Sequence, residues 1–219
     1  MATSGTSTFE PDVADVIEEA YERIGLEVRT GYDSKTARRS LNLLLQELNN
    51  RQINLWKVTE VTVSMVAGSK SYTLDAKVQD ITMAVLRRSS IDTRMNRLAR
   101  DTYQTRPNKA QQGRPSQFYL DRVNPPVLYV YLAPENSTDE VILQTMQRIE
   151  DVGSSQKTLD IPIRFLPAVT AGLSYYLSLK KKPEMAQLMK QIYEEELGRA
   201  MEEDRERTSL FLRPGRGTR

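Results

Sequence analysis

Apolar residues recur at intervals of three and four near both ends of the chain and at intervals of two in its middle third, which divides the sequence into helical, strand-rich and helical segments. Val13, Val16, Ile17, Ala20, Tyr21 and Ile24 form one helical stripe. Glu10-Pro11-Asp12 precedes it, with proline suited to a first helical position and acids suited to the positive end of the helix dipole. Gly25 follows as a residue able to take a left-handed cap. A second stripe, Ala37, Leu41, Leu44, Leu45 and Leu48, predicts a helix capped by Asp33 or Ser34 and ended by Asn49-Asn50.

From Val58 the period is two, with Val61, Val63 and Met65 alternating against Thr62 and Ser64. Gly68-Ser69 then reads as a turn and Tyr72-Thr73-Leu74 as the returning strand of a hairpin. Further strands are predicted over residues 81–87, 117–122, 127–132 and 141–147, separated by Gly, Pro, Asn and Asp clusters. Residues 101–106 suit a short helix, and the polar residues 107–115 a mobile, exposed loop.

The helical period returns after Ile161-Pro162, with Phe165, Val169, Gly172, Leu173, Tyr176 and Leu177 on one face. Ala168, Ala171 and Gly172 are small enough to admit a neighbouring helix, and Lys180-Lys181-Lys182 complements the negative end of this one. Pro183 opens a last helix whose stripe is Met185, Leu188, Met189, Ile192, Tyr193, Leu197, Ala200 and Met201.

Each chain end thus supplies two amphipathic helices, and a pair alone leaves apolar stripes uncovered. The expected fold is α+β: an antiparallel helical bundle built from both chain ends, an inserted antiparallel β domain, and an extended C-terminal arm. In residue terms the bundle takes 1–56 and 158–208, the β domain 57–157 and the arm 209–219.

Composition narrows the chemistry. The 219 residues include no cysteine and no histidine. That removes disulfides, thiolate nucleophiles, iron–sulfur and ordinary zinc sites, and the Ser-His-Asp triad. No catalytic residue, cofactor or metal is expected. Thirty-one basic residues against 29 acidic ones leave a formal charge of +2, so no global field draws the chain to nucleic acid or an anionic membrane. No apolar run reaches the roughly 20 residues of a membrane span, and residues 1–8 lack the apolar core of a signal peptide; synthesis in the cytoplasm is the expectation. Neither a Walker-type phosphate loop nor a dinucleotide fingerprint occurs.

Three constellations remain. Glu194-Glu195-Glu196 and Glu202-Glu203-Asp204 could ligate a hard cation, but beside Arg199, Arg205 and Arg207 they read better as a solvated, salt-bridged helix face. Arg87, Arg88, Arg94, Arg97 and Arg100, with Arg106 and Lys109 nearby, are the concentrated basic stretch of the β region and a candidate channel or subunit interface. The competing reading is a nucleic-acid-binding module over Arg87 to Lys109, which no interleaved aromatic platform supports. A hydrolase built on a carboxylate pair is the third reading. Tyr119, Tyr129 and Tyr131 suit core or interface packing. Beyond them the chain ends in Arg205, Arg207, Leu210, Phe211, Leu212, Arg213, Arg216 and Arg219, with Pro214, Gly215 and Gly217, a segment with too few apolar residues to fold alone.

The run from Arg39 through Leu43-Leu44-Leu45, Gln46-Glu47-Leu48 and Asn49-Asn50 to Trp56 and Val58 resembles the opening of phage head-to-tail adaptors of the tail tubular protein A type. Gly68 before Tyr72-Thr73-Leu74, Asp80-Ile81 before Arg87, Gly113-Arg114-Pro115 before Phe118-Tyr119, and Ile161-Pro162 before a small-residue helix follow in that family's order. The resemblance implies a homo-oligomeric ring, usually of twelve copies, in the virion at the head-tail interface. It also implies a portal protein as one partner and a tail nozzle or other tail protein as another. Double-stranded DNA would pass through the channel without sequence-specific binding. The basic C-terminal segment, a featureless terminus by composition, becomes on this resemblance the portal-binding arm.

Overall fold

The computed structural model describes residues 9–51, 55–154 and 156–203. It is a mixed α and β structure with five α-helices among the described residues and mainly antiparallel sheets, which divides into two compact units: Met1–Leu44 with Val152–Arg219, and Leu45–Asp151.

The first unit is helical. Helix α1, Val13–Arg23, begins with a capping box in which the Asp15 N–H donates to Asp12 Oδ1 at 2.9 Å and the Asp12 N–H donates to Asp15 Oδ2 at 3.2 Å. The cap is therefore Asp12, and Pro11 lies before the helix instead of at its first position. Gly25 closes α1 at φ +65°, its N–H donating to the Glu22 carbonyl at 2.8 Å. Helix α2, Gly31–Asn50, starts earlier than Asp33 or Ser34 would place it. Thr30 takes the cap role, its Oγ1 accepting the Asp33 N–H at 3.2 Å while its hydroxyl donates to Asp33 Oδ2 at 2.9 Å.

Helix α4, Leu166–Lys181, packs against α1 and against α5, Ala186–Glu203. It is buried over most of its circumference, so Ala168, Thr170, Ala171, Gly172, Ser174 and Ser178 are as inaccessible as Val169 and Leu173. The predicted one-sided stripe was too narrow: small and hydroxylated residues are buried too, because Thr170 and Ser174 donate to carbonyls four residues back and leave no orphaned hydroxyl. Tyr176 is only half-buried, and on α5 Leu188 and Met201 are 53% and 42% exposed. The three lysines closing α4 reach across to the first half of the chain. Lys180 donates to Ser40 Oγ at 2.6 Å, Lys181 to Asp33 Oδ1 at 2.8 Å, and Lys182 to the Gly25 carbonyl at 3.4 Å. The Asp33 carboxyl is held below the usual aspartate range, first by the Lys181 hydrogen bond and then by Thr30.

The second unit is two four-stranded sheets sharing one core. Strands β1 (Val58–Ser64), β10 (Glu140–Gln147), β3 (Val78–Arg88) and β4 (Ile91–Arg94) form one sheet in that order; β2 (Ser71–Thr73), β8 (Val127–Tyr131), β7 (Gln117–Asp121) and β5 (Asn96–Arg97) form the other. Met65, Leu74, Leu86, Phe118, Val130 and Leu143, from both sheets and their connections, lie in one buried cluster. The expected hairpin does not form. The chain does turn at Gly68, φ +76°, but β1 pairs with β10 and β2 with β8, so the two predicted partners belong to different sheets. Two short pairings are parallel, β5 with β7 and β6 (Gln112–Gly113) with β9 (Ala133–Pro134). The latter fastens the polar stretch expected to be a mobile loop: it is exposed over most of its length, yet a Cβ at Gly113 would meet Leu132 Cδ1 at 2.6 Å.

Candidate interaction surfaces

The basic stretch is not a coil. Ser89 and Ser90, both at positive φ, turn β3 into β4 with Arg87 opposite Asp92 and Arg88 opposite Ile91. Consecutive residues on a strand point to opposite faces, so Arg87 and Arg88 cannot join one patch. Each is paired at home. Arg87 holds Asp92 with two bonds, Nε to Oδ1 at 2.7 Å and Nη2 to Oδ2 at 2.8 Å, which raises the arginine and lowers the carboxyl. Arg88 donates from Nε and Nη2 to Asp139 at 2.9 Å and 2.6 Å, and from Nη1 to Glu135 at 2.6 Å. Asp139 is 1% exposed, so this arginine neutralises an acid inside the unit.

Arg97 belongs to a second pairing. Its Nη2 donates to Asp80 Oδ1 at 2.6 Å and its Nη1 to the Ile81 carbonyl at 3.1 Å, while Arg122 Nη2 reaches Asp80 Oδ2 at 2.7 Å. Burial pushes the Asp80 carboxyl up, but the Arg97 and Ile81 hydrogen bonds and the two guanidinium charges outweigh it and leave the group below the usual aspartate range. A carboxyl lowered on folding stabilises the protein above its unfolded value, near 4, and loses that contribution as pH falls through the lowered value. Asp80→Asn should therefore lower the melting temperature at pH 7 and shrink the gap between variant and wild type near pH 3, as thermal melts at the two pH values would show. An equal gap at both would refute the assignment.

Arg94 on β4 and Arg100 at the start of α3 (Arg100–Gln104) are exposed. The structure therefore does not bring the five arginines together: three are joined to carboxylates and two face outward. Local sequence could not show this, because Glu135 and Asp139 lie 47 and 51 residues beyond Arg88.

The tyrosines form a packed cluster. Tyr103, Tyr119 and Tyr129 have ring centroids 5.4 to 5.9 Å apart, with Arg106 over the Tyr131 ring and Lys109 over the Tyr103 ring. Burial raises the Tyr103 and Tyr119 hydroxyls above their ordinary value. On α5, Glu196 pairs with Arg199 at 2.6 Å and Glu195 accepts from Gln191 at 3.0 Å, the pattern of a solvated helix face. Among the described residues no group of three acids gathers as a cation site. Arg205, Arg207, Leu210, Phe211, Leu212, Arg213, Arg216 and Arg219, expected from the sequence to form a portal-binding arm, lie outside the described residues.

A helical unit drawn from both chain ends and a β sandwich whose arginines stitch its own strands describe a protein of structural surfaces. The chain belongs to the SU10 adaptor protein family, whose family model matches residues 11–217. That family is a phage structural adaptor and not an enzyme class, so the chain is a virion component that associates with other phage proteins such as portal and tail. The match agrees with the phage head-to-tail adaptor that the sequence resembles. No curated protein matches the chain. No helix among the described residues is long and apolar enough to cross a membrane.

Proposed function

We propose that this adaptor closes into a ring, of about twelve copies by the family resemblance, between the portal and the tail, and that the double-stranded genome passes through its channel. The observation carrying this reading is the family match, which runs through both compact units and on into the C-terminal segment. We assign the bundle domain, residues 1–56 and 158–208, and the arm, residues 209–219, to the portal side. The β domain, residues 57–157, meets the tail nozzle or another tail protein.

Charge supports passage without capture. A DNA channel works only if phosphates are not held, and Arg87, Arg88 and Arg97 each spend their charge on a carboxylate of the same chain. Arg94 and Arg100 remain as exposed cations for a subunit contact or the channel wall. The nucleic-acid-module reading needs those paired arginines for phosphate and is the weaker for it.

Negative-stain microscopy of the purified protein with and without its portal tests the proposal: rings on the portal are expected, and a monomer in both samples would overturn it. Truncation after Arg207 is expected to leave the chain folded, as circular dichroism would show, and to abolish portal capture in a pull-down. Undiminished capture would remove the arm from the portal contact.

A further inference from the structure

The helical unit carries an apolar groove that its own helices leave open. It has a volume of about 450 Å³ and is lined by Phe9, Pro11, Val16, Ile163, Leu166 and Pro167, between α1 and the turn Ile163–Phe165 that leads into α4. A second cleft of about 270 Å³ continues it past Ile161 and Pro162. Phe9 and Ile163, which both line this groove, are 69% and 54% exposed and leave apolar surface open to solvent there. The rim is acidic. Asp15 and Glu19 line the groove and Glu10 lines the adjoining cleft, against Arg23, which is tied to Glu19 at 2.8 Å.

We propose that this groove seats the chain's own Leu210-Phe211-Leu212. Three observations select that occupant. First, α5 runs back along α4, and Gly172 faces Tyr193. Equal rise per residue in the two helices then sets Leu166 level with about residue 199 and Ile163 with about residue 202. The turn Ile163–Phe165 indeed packs against α5. Glu203, the last described residue, thus ends beside the groove, and the next six residues span up to about 20 Å when extended. Second, residues 204–219 carry five arginines against Asp204 and Glu206, a charge opposite to that of the rim. Third, Leu210, Phe211 and Leu212 are three consecutive large apolar residues, whereas residues 1–8, which precede Phe9 in the chain, hold no large apolar residue except Met1.

The contact would hold the arm on its own subunit until a stronger site competes for it. The apparent affinity for the portal is then reduced by the fraction of arms seated, which delays docking until portal is present at high local concentration. The contact itself stands without the adaptor reading; only the identity of the competing site rests on that reading.

The absence of cysteine makes a clean test possible in the full-length chain. Ile163→Cys with Ser209→Cys places one thiol at the groove and one beside the apolar trio, leaving the trio intact. Leu188→Cys with Ser209→Cys is the control, since Leu188 is exposed at the far end of α5. In dilute solution, with oxidised glutathione added as the oxidant, the first pair is expected to form an intramolecular disulfide about tenfold faster than the control, the advantage a tethered contact confers. Phe211→Asp is expected to erase that advantage, and Glu10→Lys with Glu19→Lys to reduce it. Equal rates for the two pairs would overturn the proposal, and so would a disulfide joining two chains, which would make a second copy the occupant. Portal capture is scored separately. A chain that captures portal without the cross-linking preference sinks the groove contact alone, and one that cross-links but never captures portal sinks the adaptor reading alone.

Discussion

Replacing Gly172 with valine is expected to destabilise the protein by about 3 kcal/mol or more, the upper end of what overpacking costs in a filled core. A Cβ at this position would sit 2.9 Å from both Leu44 methyls and 2.9 Å from Tyr193 Cε2. Leu44 is 0% exposed and Tyr193 1%, and because both methyls are touched a rotation of the leucine gives no relief. Leu44→Ala alone leaves a cavity and should cost about 2–5 kcal/mol. Together the two changes should cost clearly less than their sum, since the valine fills space the leucine vacates. Urea denaturation of the four proteins in that cycle checks the claim. Strict additivity would mean that Leu44, from the first half of the chain, does not share a core with Gly172 and Tyr193.

Arg88→Met should lower the melting temperature by several degrees, while Arg87→Met leaves it nearly unchanged. The two residues are adjacent and both ion-paired, so what separates them is the environment of the partner. Asp92 has a side chain 46% exposed, and a pair screened on that scale contributes little. The Asp139 side chain is 0% exposed, and removing Arg88 leaves its carboxylate buried with its strongest donor gone. Replacing Asp139 and Arg88 together by apolar residues should recover part of the loss, which separates an uncompensated charge from simple loss of packing. If Arg88 instead served a subunit contact, its replacement would leave the monomer's melt untouched and change only assembly.

The helices and most strands were legible because their periodicity is local: each stripe is written within the element that uses it. The stripes of α1 and α2 are all buried as read. The edges were less legible. Thr30 outcompetes Asp33 as a cap because its side chain and Asp33 can bond reciprocally, a choice that depends on one turn of geometry. The candidate interface was half legible. The arginines were visible as a concentration of charge, but β4, β5 and the carboxylates that neutralise them were not. The groove at Phe9 and Ile163 was missed altogether, since two isolated apolar residues 154 positions apart carry no local signal.

The order of residues by itself determined where the main helices and most strands form, that cysteine and histidine chemistry is closed to this protein, and the family to which it belongs. Those properties follow from short-range spacing and from side-chain identity. Only the tertiary structure decided that β1 and β2 part into different sheets, that Arg88 is consumed by Asp139, and that α4 is buried nearly all round. Strand pairing and charge pairing depend on which distant positions meet, and no period within a single element records that meeting.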